Sequence, residues 1–223
     1  MRACFPTTAA MLILMTLLGG CTPVFRIQVN GFADPGYAGR LAPPASIAVE
    51  ENARAENPLF EKEIKAKVNK LIKGKGFLIA APDRADFLCN FSYGMGAGPT
   101  RIGSLAVPSP PLASAVVVSN QGGTVQTGTV MAPGPPTYVP YAWTEYDRWL
   151  NIVIRDARLF RSAKKDQVVW YGEVLSSGTS RDLRRIINYL LVAAFAEFGR
   201  DTKQGVIHEL KEDDEQAASL MRE

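Results

Sequence analysis

Histidine is almost missing from this chain: one, His208, among 223 residues. A serine or cysteine nucleophile needs a base held beside it, and His208 sits alone in the polar stretch after Gly199. Cysteine is scarce too, with Cys4, Cys21 and Cys89 only. One internal thiol and one distant histidine do not make the three or four ligands that zinc takes, so no metal and no cofactor is expected. Neither sign of charge dominates: 25 Lys and Arg stand against 22 Asp and Glu, a net charge of +3. No basic run interleaved with aromatics is present, which argues against a nucleic-acid partner.

What is present at the N-terminus is an export leader. Arg2 supplies the positive end and Met11–Leu18 the apolar stretch. That stretch falls well short of the about 20 residues a membrane-spanning helix requires. Leu18-Gly19-Gly20-Cys21 follows. This is similar to the lipobox of bacterial lipoproteins, in which the cysteine thiol receives a diacylglycerol and the chain is cut before it. The expectation is therefore cleavage between Gly20 and Cys21, lipid on Cys21, and a permanent membrane anchor, since each buried CH₂ contributes about 0.8 kcal/mol. Thr22, in place of the aspartate that retains lipoproteins at the inner membrane, resembles an outer-membrane address facing the periplasm.

After the leader (1–20), the stretch 21–44 is rich in Gly and Pro, reads as a lipidated tether, and has room for a short strand at Phe25–Val29. Ser46–Glu50 alternates and reads as a strand. Asn57 caps a helix opened by Pro58. Leu59, Phe60, Ile64, Val68, Leu71 and Ile72 form its apolar face, with Lys62, Lys65, Lys67 and Lys70 on a solvated one. Ala85–Tyr93 is a strand with Phe87, Cys89, Phe91 and Tyr93 on one face, which makes Cys89 a buried apolar residue. Residues 94–142 form a long Gly- and Pro-rich insertion, with a hairpin at Val116–Val118 and Thr124–Val130, and are the candidate contact surface. Gly94, Gly96 and Gly98 do not make a dinucleotide fingerprint: Pro99 stands where its third glycine belongs.

Trp149–Arg158 and Val168–Ser176 read as a β-hairpin joined by Ser162–Asp166. A second amphipathic helix spans 181–198, capped by Ser180 and stopped by Gly199. Residues 200–223 read as a polar, solvated tail. Glu145, Asp147 and Asp156 are the carboxylates available for acid–base work, but alternation places Asp147 with Arg155 and Arg148 with Asp156 as surface cross-strand pairs. No catalytic residue is assigned. Arg181, Arg184 and Arg185 cluster at a helix start, where the dipole disfavours positive charge, so they are the candidate contact for an acidic partner.

Asn57-Pro58-Leu59 opening a helix, the Trp149–Ile154 strand, and Val168-Val-Trp170-x-Gly172 before a terminal helix form a pattern. In it the chain resembles bacterial envelope lipoproteins that share a C-terminal α/β domain of unknown function. The resemblance covers 46–93 and 146–199; Tyr141-Ala142-Trp143 lies after the insertion here, not before the first helix. It implies an α/β domain on an envelope anchor, with no activity to carry over.

The expected fold is a single α/β domain over 45–199. It is a mostly antiparallel sheet of four to five strands, covered on one face by the helices 58–74 and 181–198. The expected function is a non-catalytic binding or scaffolding lipoprotein, attached to a membrane by lipid and to another envelope protein by contact. The alternatives are an accessory subunit of an envelope transport or secretion machine, and a hydrolase working through carboxylates alone.

Overall fold

The structure, a computed structural model, describes residues 23–222 apart from 38, 109–112, 122–123 and 133; over 113–132 it describes backbone only. The leader and Cys21 lie outside the described residues. Two compact units divide the described residues: a larger one within 23–96, 147–177 and 181–222, and a smaller one within 97–146 and 178–180.

The larger unit is built on a seven-stranded mixed sheet, not the expected four- to five-stranded antiparallel one. Its strands are β1 (Val24–Ala33), β2 (Ser46–Glu50), β3 (Leu78–Ile79), β4 (Phe87–Val107), β7 (Thr137–Asp156), β8 (Val168–Gly178) and β9 (Val206–Lys211), in the order β3-β2-β4-β7-β8-β1-β9. Strand β2 pairs in parallel with both β3 and β4, in register Ile47↔Ile79 and Val49↔Cys89. Helix α1 (Pro58–Gly74) lies between β2 and β3 in the chain, and a crossover of that kind is what parallel pairing requires.

Two further strands come from segments that read as tether and tail. Strand β1 pairs antiparallel with β8 on one side (Val29↔Val174) and with β9 on the other (Val29↔Val206). Ile27 and Val29 are buried in the core. One glycine of the stretch that suggested a tether serves packing: a Cβ on Gly31 would lie 2.5 Å from the Arg200 carbonyl oxygen. The tail is likewise engaged. Strand β9 forms the sheet edge, and helix α4 (Glu215–Met221) buries Ala217 and Leu220.

Helix α1 begins as its sequence dictates, with the Asn57 side chain accepting from the Phe60 amide and Pro58 at the first position. Two details of its face differ: Leu59 is exposed, whereas Lys67 is buried and pairs with Glu63 at 2.6 Å. Helix α3 (Leu183–Ala196) is capped by Asp182, not Ser180; its carboxylate accepts from the Arg185 amide. Both helices pack into one core with Ile47, Phe87, Cys89, Phe91, Leu150, Ile152, Ile154 and Trp170. On the alternate positions Ala48 and Leu88 meet Ala85 and Ala157 in a second, smaller cluster. Helix α2 (Ala157–Ala163), which the sequence pattern did not announce, fills the connection between β7 and β8 and is capped by Asp156. The described residues thus contain four α-helices.

The smaller unit is a β-ribbon. The distal halves of β4 and β7 run alongside each other, and β5 (Ala113–Gln121) and β6 (Thr124–Ala132) form an antiparallel hairpin in register Val117↔Gly128. Backbone pairing therefore continues through most of the segment expected to be irregular.

Candidate interaction site

Of the three carboxylates considered for acid–base work, Asp156 and Glu145 are held by neighbours of their own. Asp156 is 3% exposed and takes hydrogen bonds from the Arg158 and Leu159 amides and from the Tyr37 hydroxyl at 3.0 Å; Arg40 approaches within 3.6 Å. It is a helix cap, not one half of a surface pair. Glu145 pairs with Arg101 at 2.9 Å. Arg155 forms an ion pair with Asp166 at 3.1 Å and donates from Nη1 to the Asn90 side chain at 3.2 Å. His208 faces Glu197 at 3.2 Å. Cys89 is fully buried, and desolvation, reinforced by Glu50, pushes its pKa up to about 12. At neutral pH that thiol holds its proton, so it offers no thiolate.

The arginine cluster meets acids from within the chain. Arg184 pairs with Glu63 at 2.7 Å, Arg185 pairs with Glu212, and Arg181 is engaged as well. Burial alone would raise the Glu63 pKa; hydrogen bonds from Arg184 and Lys67 outweigh it and hold the carboxyl below its usual value. Asp182, one residue before the helix, compensates the charge that the dipole disfavours.

Arg148 did not stand out in the sequence. It is 2% exposed, and its Nε and Nη1 find no hydrogen-bond partner among the described residues. Desolvation lowers its pKa below the ordinary arginine value, opposed by the neighbouring Asp147. It lines a concavity of about 620 Å³ with Arg26, Gln28, Asp147, Leu175 and Ser176. Strict alternation with Leu150 and Ile152 could have flagged it, since the same period that buries those two buries Arg148. A second concavity, about 580 Å³, is lined by Phe60, Glu61, Phe91, Tyr93 and Trp149. There Tyr93 hydrogen-bonds to Glu61, and burial pushes its hydroxyl pKa up. The Trp149 ring lies against Gly94, where a Cβ would come within 2.5 Å of it.

The ribbon has a different chemistry. Of the fifty residues 97–146 only Arg101 and Glu145 are charged, against 21% for the whole chain, and these two pair with each other. Ile102 is 79% exposed, Leu105 61% and Tyr138 65%. Gly103 lies under Tyr141 and Trp143, whose rings stack 5.1 Å apart, so one glycine is covered by two aromatics from the neighbouring strand.

No family model and no curated protein matches the chain. Among solved structures it is similar to a PDZ domain protein from Parabacteroides distasonis, at 13% identity and a TM-score of 0.44. That match covers 91% of this chain and 41% of the other, so the chain spans less than half the length of that protein. It is also similar to PelC from Paraburkholderia phytofirmans, described as a dodecamer, at 12% identity and a TM-score of 0.34 over 76% of this chain and 90% of the other.

Proposed function

We propose that this protein is a lipid-anchored component of the bacterial envelope, held to the outer membrane through Cys21 and facing the periplasm, and that it works by binding another envelope component. The observation that carries the anchor is Leu18-Gly19-Gly20-Cys21 behind a short apolar run. The fold adds a constraint. Strand β1 starts at Val24, so only Thr22 and Pro23 separate Cys21 from the sheet. At about 3.5 Å per residue the anchor reaches about 10 Å, and the β1–β9 side of the sheet sits close to the lipid surface with no long tether. The binding role rests on the nearly uncharged segment 97–146 and on the exposed Ile102, Leu105 and Tyr138 within it.

Mass spectrometry of the mature N-terminus tests the anchor: a lipid-modified Cys21 supports it, and an unmodified N-terminus sinks it. Cys21→Ala should move the protein from the membrane fraction to the soluble one. Crosslinking in intact cells tests the binding role. It should trap a protein through the ribbon, and deleting 97–141 should abolish the adduct while leaving the far-ultraviolet circular dichroism of the larger unit in place.

A further inference from the structure

A buried cation needs an acceptor, and two nitrogens of Arg148 have none among the described residues. Its Nε and Nη1 are closed to solvent without a hydrogen-bond partner. An unpaired group held out of water is costly, most of all when it carries charge. Desolvation weighs against the charged form of Arg148, and Asp147, the residue before it on β7, offsets this only in part. Adjacent residues of a strand point to opposite faces, which keeps the Asp147 carboxylate from pairing with it. A water would satisfy an N–H group but leave the charge uncompensated.

The concavity of about 620 Å³ that Arg148 lines is formed by residues of the larger unit alone. Arg26 brings a second positive charge to it. That side chain is paired with Glu209 at 3.2 Å, but both partners are more than half exposed, and a surface pair of this kind yields to a better acceptor. Gln28 and Ser177 add neutral donors, and the partly exposed Leu175 and Ile207 add an apolar wall. Among the lining residues two guanidinium groups stand against one carboxylate, that of Asp147, which leaves one positive charge over.

We propose that this concavity binds a singly charged phosphodiester, with Arg148 and Arg26 on its oxygens and Leu175 and Ile207 against the apolar part of the same molecule. A phosphodiester offers more acceptor oxygens to these donors than a carboxylate does. A dianion would meet Asp147 as a like charge. Because Nε and Nη1 have no contact with solvent, the pairing includes a rotation of the Arg148 side chain that brings them to the ligand. Two sources supply this chemistry: a phospholipid headgroup or a soluble phosphodiester. Arg26 lies five residues beyond Cys21, so a lipid on that cysteine would hold the concavity within about 18 Å of the headgroups. The lipid source rests on the anchor proposed above; the site itself does not.

The test uses the full-length chain in a maltoside detergent, with dihexanoyl phosphatidylglycerol and its deacylated headgroup, glycerophosphoglycerol, as probes. A saturable rise in thermal midpoint with both probes supports a site for the phosphodiester alone, and a rise with the acylated probe only supports the lipid as source. Arg148→Met should raise the midpoint without probe and weaken probe binding at least about tenfold. Those opposite signs are not expected of an arginine with a merely structural role. Arg26→Gln, at an exposed position, should weaken binding less, and Arg84→Gln, an exposed arginine outside the concavity, should leave it unchanged. Cys21→Ala should bind the probes as the unaltered chain does, so a failure of the anchor and a failure of the site are read separately. No shift with either probe, a shift that Arg148→Met leaves intact, or an equal shift with sodium chloride at matched ionic strength overturns the proposal.

Discussion

The sheet-and-helix unit and the ribbon solve opposite problems with the same strands. In the proximal half of β7, Leu150, Ile152 and Ile154 are buried under helices. In its distal half, Tyr138, Val139 and Tyr141 face water. Stability in the first region comes from apolar area removed from solvent; in the second, the described side chains of the distal β4 and β7 segments are mostly exposed, and backbone ladders carry more of the load. Substitutions should therefore register as unfolding energy in the larger unit, and as changed association in the ribbon.

The largest blow to the larger unit should come from Trp170→Ala. This indole is fully buried, packs against Phe198 at 5.0 Å and donates from Nε1 to the Arg200 carbonyl at 2.9 Å. Removing it should lower the unfolding free energy by about 3–5 kcal/mol, read by urea denaturation; a loss below about 1 kcal/mol would break the contrast between the two regions.

Arg148→Met should act in the other direction. It replaces a buried guanidinium, two of whose nitrogens lack a partner among the described residues, with an apolar chain, and a gain of about 1–3 kcal/mol is expected by the same measurement. A clear loss would show that Arg148 has a partner that the described residues do not contain.

A smaller effect should follow acid. Hydrogen bonds from the Ser46 amide and hydroxyl, with the Arg158 ion pair, hold the Asp86 pKa at about 2, below the ordinary aspartate value of 3.8. Because the folded value is depressed, this contribution is present above about pH 4 and is lost as pH falls toward 2. Asp86 is partly solvated, so its share is on the order of 1 kcal/mol. Asp86→Asn should flatten that part of the stability–pH curve, and an unchanged curve would show that Asp86 contributes nothing there.

The smallest change in stability should come from Ile102→Lys, within about 0.5 kcal/mol in the single chain, because its side chain is 79% exposed. A loss above about 1 kcal/mol would show that the ribbon has a core of its own.

Local signals were readable wherever one element carried its own instructions. Asn57-Pro58 announced α1, alternation at Phe87, Cys89 and Phe91 announced β4, and the period of Ile186, Ile187, Leu190 and Leu191 announced α3. Strand β9, and the full length of β1 beyond the short strand read at Phe25–Val29, were hidden because each depends on a partner far along the chain: Val29 pairs with Val206, and no short window contains both. The parallel pairing of β2 with β4 was hidden for the same reason, although the helix between them was a signal that could have revealed it. Arg148 and Asp156 read as surface because charged residues are mostly exposed, a prior that the alternating register of β7 overrides.

By itself the amino-acid order determined the two amphipathic helices, the alternating strands and the short apolar run that ends at Cys21, since these depend on chemistry within a few residues. Only the tertiary structure decided that the sheet has seven strands, that the N-terminal segment is a strand rather than a spacer, and that Arg148 is buried. Those outcomes depend on contacts between residues tens of positions apart in β2–β4 and more than a hundred apart in β1–β8 and β1–β9, where burial and backbone pairing across the whole sheet outweigh local preference.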